Sequence, residues 1–146
     1  MGTVLDEGDS PHTSRALEAA GHAAAVFRHF ALSFDQMDEG QRAEYLATFS
    51  DVPEREVHLA IHEGHLVSVN RWDMPFVTGD LIAEPGLAQP ACGWADQLVA
   101  AESAGATEIA YQPAGQDIPR ELETFVRAHE LYSTTIASTN EETCQP

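Results

Sequence analysis

The sequence predicts an α/β chain that is rich in helix and poor in strand. Three observations predict it. Apolar residues recur at helical spacing over long stretches. A helical stretch at 94–101 is ended by Ala104-Gly105 and leads into the β-type run Thr-Glu-Ile-Ala-Tyr-Gln at 107–112. A short apolar run at 2–5 reads as a first strand. Two clear strands are too few to satisfy each other's backbone groups as a sheet, so the remaining strands are expected to come from elsewhere.

Each element is justified in chain order. Strand 2–5 runs into the polar turn Asp6-Glu7-Gly8-Asp9-Ser10. Ser10 as cap and Pro11 at the first helical position then open a long helix, whose inner face is read as Leu17, Ala20, Ala24, Phe27, Ala31 and Phe34. Asp38-Glu39-Gly40 opens a second helix, its acids placed well for the helix dipole, with Tyr45, Leu46 and Phe49 as its apolar stripe. Residues 50–53 close it and cap a third helix running to about Glu63, faced by Val57, Ala60 and Ile61. Residues 70–73 are turn-like, and a short segment follows from Met74 to near Ile82. Residues 85–93 read as a Pro/Gly-rich loop, 107–112 as a buried strand and 113–117 as a loop. The last helix spans Ile118 to about Leu131, with Leu122, Phe125 and Val126 inward. The division is one domain over 1–132 and a flexible polar tail over 133–146.

Bulk composition acts mainly by exclusion. Among 146 residues, 24 Asp and Glu face seven basic residues, all Arg, for a formal charge of -17. Such a surface repels polyanions, so neither nucleic acid nor an anionic membrane is an expected partner. With 43% apolar residues and no long apolar run, the chain reads as a globular cytoplasmic protein with neither signal peptide nor membrane span. Cys92 and Cys144 have neither disulfide-framework nor zinc-ribbon spacing.

The stretch from Trp94 to Gly115, a helix, an Ala-Gly turn, a strand and a loop, followed by Ile118-Pro119-Arg120-Glu121-Leu122 and Phe125, resembles the closing unit of the luciferase-like monooxygenase superfamily. Gly2-Thr3-Val4-Leu5-Asp6-Glu7-Gly8 with Ala16-Leu17-Glu18-Ala19-Ala20-Gly21 resembles an earlier strand and the helix after it. The run from His58 to Leu66 is similar to one in deazaflavin-dependent members. The resemblance implies the C-terminal portion of a (β/α)8 TIM-type barrel. Such barrels take about 250 residues, so it also implies that the N-terminal half, with most contacts to the cofactor ring, is not in these 146 residues. The implied activity is hydride transfer or oxygenation of a small-molecule substrate, with coenzyme F-420 (a deazaflavin) or FMN as cofactor. The implied partner is an N-terminal barrel half or a second copy in a homodimer.

Parallel barrels place functional residues at the C-terminal ends of strands. This makes Gly8, Gln112 and Gly115 the candidate cofactor-binding residues, set against the plainer reading of ordinary turns. His58, His62 and His65 fall at i, i+4 and i+7, on one face of a helix if it persists past Gly64. His62 and His65 are the candidate catalytic pair, lining a pocket and transferring protons. A zinc set from His58 and His62 with Glu56 or Glu63 ranks lower, because His-Glu-Gly-His is one residue short of the metalloprotease spacing, and no metal ligand is assigned. The rival readings are a non-catalytic helical remnant that self-associates through open strand edges, and a small metal-binding protein built on the histidines.

Overall fold

The computed structural model describes residues 1–143, and side-chain surroundings as far as Thr134. The order is β1 Thr3–Leu5, α1 Ser14–Ser33, α2 Glu39–Ala47, a 3-10 turn Glu54–Glu56 running into α3 Val57–Ile61, α4 Gly79–Ala83, β2 Ala88–Pro90, α5 Ala91–Ser103 and α6 Ile118–Thr143. The expected tail thus begins within α6, and residues 144–146, with Cys144, lie outside the described residues. Among the described residues no helix is long and apolar enough to cross a membrane.

β1 and β2 pair in parallel, with Thr3 opposite Ala88, Val4 opposite Gln89 and Leu5 opposite Pro90. β2 lies inside the stretch read as a loop. Its three residues carry almost no periodicity, and β1 supplies the template that makes them a strand. Pro90 then ends the ladder, having no N–H to donate, and sits at the cap of α5 with extended φ −66° and ψ 164°.

The expected strand at 107–112 does not form. Those residues are irregular, and Ile109 is 50% exposed. The reason lies on β1. The Thr3 N–H bonds to Leu87 O, so Thr3 faces β2, and Gly2 and Val4 face the opposite edge by strand alternation. On that edge Tyr111 Oη donates to Gly2 O at 2.9 Å, and Arg120 Nη2 donates to Val4 O at 3.0 Å. Side chains occupy the acceptors that a third strand would need.

α1 is capped by Thr13, whose hydroxyl accepts from the Ala16 N–H at 3.2 Å, and not by Ser10; residues 10–13 form a turn instead. The buried face of α1 also differs from the expected one. Ala16, Ala20, Ala23 and Ala24 pack on Ile82, Leu87 and Ala88, while Phe27, Phe30 and Phe34 face outward. Alanine lets α1 approach α4 and the strand pair closely, which a phenylalanine face would prevent. α2 starts as expected, with a capping box between Asp38 and Gln41. Tyr45, Phe49, Ala60, Ile61 and Trp72 form a second core beyond the Ala-rich one. Val4, Trp94, Phe125 and Ala128 join α5 and α6 to β1 in a third. On α6 the inward positions are Glu121, Thr124 and Ala128 with half-buried Phe125, whereas Leu122 and Val126 are exposed.

His22 is an unusual occupant of the α1 core. It is buried, and neither ring nitrogen has a partner. Burial, and secondly the N-terminal ammonium group, hold its pKa below the ordinary histidine value. The unfolded chain therefore takes up a proton first. Stability is full above the unfolded pKa near 6.5 and falls as pH drops from there toward the depressed folded value. His22→Leu is expected to flatten that acid-side loss. It should also add about 1–2 kcal/mol at neutral pH by removing unsatisfied buried polar atoms. Urea unfolding at several pH values checks this, and an unchanged slope with pH refutes it.

Candidate functional site

Two of the histidines singled out in the sequence come together with a third that was not. α3 ends at Ile61, with His62 at its cap, so the helix does not persist through Gly64 to carry His65. Gly64 (φ 69°) and Leu66 (φ 63°) adopt left-handed conformations on either side of His65 and fold the chain back on itself. His62 Nδ1 and His65 Nδ1 are then 3.2 Å apart, with ring centroids at 5.1 Å. His29, from the C-terminal half of α1, brings its ring to 5.2 Å from His62 and 5.7 Å from His65. One nitrogen from each of the three lies within 4.8 Å of the others. His58, one turn before His62, is exposed and stays outside the group, as do Glu56, paired with Arg55, and Glu63.

The third histidine is anchored by a buried carboxylate. Asp73 Oδ2 lies 2.8 Å from His29 Nε2, and Asp73 Oδ1 accepts from Tyr45 Oη at 2.7 Å. Asn70 sets the position of Asp73. Its Oδ1 accepts from the Trp72 and Asp73 N–H groups at 3.0 and 2.8 Å, and its Nδ2 donates to Ile61 O at 3.1 Å, which ties the turn to the end of α3. A carboxylate can only accept, so the His29 proton sits on Nε2. That leaves Nδ1 as a buried lone pair, and it has no hydrogen-bond partner. Desolvation, then the neighbouring rings of His29 and His65, hold His62 below the ordinary histidine pKa. Burial first, and the bond to Asp73 second, push the Tyr45 phenol far above its usual value, so Tyr45 remains a donor.

Sequence reasoning found His62 and His65 and missed His29, Tyr45, Asn70 and Asp73. Asn70-Arg71-Trp72-Asp73 was legible as a turn. Nothing local ties it to a histidine 44 residues upstream.

The three candidate cofactor residues separate. Gln112 Nε2 donates to Leu66 O at 3.3 Å, next to His65. Gly115 (φ 93°) lines an apolar groove of about 530 Å³ with Leu17, Val67, Val69, Met74 and Val77. A Cβ on Gly115 would stand 3.3 Å from the backbone of Ala19, so both φ and packing require glycine there. Gly8 (φ 83°) lies away from these two, in the exposed turn after β1 with open space around its Cα. The C-terminal ends of β1 and β2 meet at a separate depression of about 600 Å³, bordered by Leu5, Asp6, Pro90, Cys92 and Arg127.

Below the strand ends lies the other buried carboxylate. Glu121 Oε2 accepts from Thr3 Oγ1 at 2.6 Å, and Oε1 accepts from Arg15 Nη1 at 3.0 Å and Arg120 Nη1 at 2.8 Å. Arg120 reaches on to Asp6 at 2.7 Å and holds that carboxyl below its usual pKa. This network clamps β1, α1 and α6 together, which makes it structural machinery beneath the strand ends.

Comparison with family models, with curated proteins and with solved structures returns no match.

Proposed function

We propose that this chain is the C-terminal portion of a luciferase-like (β/α)8 oxidoreductase, acting on a small molecule with a flavin or deazaflavin. The observation that carries the reading is the parallel register of β1 on β2. Each strand is followed by a helix, and the C-terminal ends of the two lie side by side, where a barrel would place its active site. Isolated parallel pairs are rare, because parallel sheets are covered on both faces by further units of the same kind. Two apolar rows face outward, Phe27, Phe30 and Phe34 on α1 and Ile118, Leu122 and Val126 on α6. They are suited to packing against such units, supplied by an N-terminal half or by a second copy of the chain.

The groove beside Gly115 fits the ring of the cofactor better than its phosphate. Its volume is in the range of small-molecule sites, and Leu17, Val67, Val69, Met74 and Val77 offer apolar faces to a planar ring. No arginine lines it among the described residues and Glu18 does, so the phosphate would lie outside the groove, toward solvent. When bound, the cofactor supplies hydride transfer or oxygen activation. The protein's part is to seat the ring and exclude water.

The test is a fluorescence titration of the purified chain with FMN and with the deazaflavin coenzyme. Saturable binding near 1 μM, about −8 kcal/mol, is expected. Val67→Glu, at a position 74% exposed on the groove's lip, should weaken it about tenfold or more while leaving the fold intact. A folded chain that binds neither compound at a hundred times that concentration overturns the placing of the ring in this groove and puts the cofactor site in the N-terminal half.

A further inference from the structure

We propose that His29, His62 and His65 form a binding site for a divalent transition-metal ion of the zinc class, with Asp73 as the carboxylate that orients His29. The inference uses the histidine geometry alone and does not rest on the barrel reading.

Four observations converge on it. The first is spacing. Two nitrogens bound to one tetrahedral metal at about 2.0–2.1 Å are about 3.3–3.4 Å apart; His62 Nδ1 and His65 Nδ1 already stand at 3.2 Å. One ring nitrogen of His29 lies within 4.8 Å of a ring nitrogen of each, so gathering all three on one ion takes a shift of about 1–2 Å. His65 sits on the turn between Gly64 and Leu66, outside any helix, where such a shift disturbs no core packing.

The second observation is the unpartnered lone pair. His29 is 5% exposed, and its Nδ1 is buried with no hydrogen-bond partner. A buried acceptor left unsatisfied carries a cost, and a metal ion would satisfy it. The third is the partner of the opposite ring nitrogen. Metal-bound histidines usually donate their other N–H to a carboxylate or carbonyl, which fixes the tautomer and raises ligand basicity. His29 Nε2 has that partner in Asp73 at 2.8 Å, and Asp73 is in turn held by Tyr45 and Asn70.

The fourth is donor chemistry. Three imidazoles with no carboxylate among the ligands suit zinc, nickel or copper and reject calcium and magnesium, which require oxygen ligands. His62 and His65 are exposed, so water has access to a fourth position. Three protein ligands with an open position is the arrangement of a reactive zinc site rather than a closed structural one.

The test uses the whole chain, stripped with a chelator and desalted. It is titrated with Zn²⁺ by calorimetry and with Co²⁺ by visible absorption. One ion per chain is expected, with Kd of about 1 μM or tighter and the intense visible bands of four-coordinate cobalt. His65→Ala should weaken binding at least tenfold, and the His62→Ala/His65→Ala pair should abolish it. His58→Ala should change nothing. Asp73→Asn should weaken binding about 10–100-fold, with a shifted cobalt spectrum marking a reoriented His29. Because His29→Ala and Asp73→Asn touch the core, the two loop histidines decide the outcome if either fails to fold. Absence of a four-coordinate cobalt spectrum overturns the proposal, as does one-to-one binding that survives the His62→Ala/His65→Ala pair. Neither result depends on whether a flavin binds.

Discussion

Glu121→Ala is expected to lower the unfolding free energy by about 3–5 kcal/mol, the range for removing one partner from a buried ion pair. Glu121 is 1% exposed and accepts from three donors on three elements: Thr3 on β1, Arg15 on α1 and Arg120 on α6. Deleting the carboxylate leaves the guanidinium of Arg120, whose side chain is 17% exposed, beside an empty space, with the buried Thr3 hydroxyl deprived of its acceptor. Arg120 keeps Asp6 and Arg15 keeps Asp9, so each arginine loses its core-facing partner while retaining an outer one. Glu121→Gln keeps the shape and one acceptor oxygen, so it should lose about half as much. Urea unfolding followed by the fluorescence of Trp94, which packs on Phe125 above β1, reads both variants. A loss below about 1 kcal/mol for the alanine variant would mean that the network is dispensable.

Asp73→Ala is expected to cost about 2–5 kcal/mol, because it strands two buried groups at once. Tyr45 Oη and His29 Nε2 both lose their acceptor, and neither residue is exposed enough to find water in its place. Tyr45 packs edge-on against Phe49 and Phe76, and Arg28 stacks over the Phe76 ring at 4.0 Å. The phenol therefore cannot turn outward without breaking the second core. Tyr45→Phe removes the donor and should cost only about 1 kcal/mol alone. In the Asp73→Ala background it should cost less than that, because the hydroxyl has already lost its partner. A double-mutant cycle measures this coupling, expected at about 1 kcal/mol. Full additivity would contradict the arrangement of Tyr45, Asp73 and His29 described above.

Helix content was legible where neighbouring residues decide it. Asp38-Glu39-Gly40 marks the start of α2, and Ala104-Gly105 marks the end of α5; both signals act within one turn of backbone. The start of α1 was misplaced by one turn because Ser10, Thr13 and Pro11 are all plausible there, and only the N–H of Ala16 chooses Thr13. The inward faces of α1 and α6 were read from apolar periodicity, which favours the larger side chain at every ambiguous position. Tight packing against α4 instead selected the alanines of α1, and the arginine pair selected Glu121 over Leu122 on α6.

By itself the sequence determined the acidic balance, the helix-rich plan, the strand at β1 and the nearness of His62 and His65 along the chain. Tertiary structure alone decided three things. Ala88–Pro90 became a strand while 107–112 did not, because β1 offered one edge to β2 and filled the other with Tyr111 and Arg120. Glu121 became a buried clamp rather than one more surface acid. His29 on α1 and Asp73 on the turn after α3 joined His62 and His65. The physical reason is common to all three. Backbone preferences and caps are settled by residues a few positions apart. A polar group can be buried only if its partner is there to meet it, and here those partners are tens of residues away along the chain.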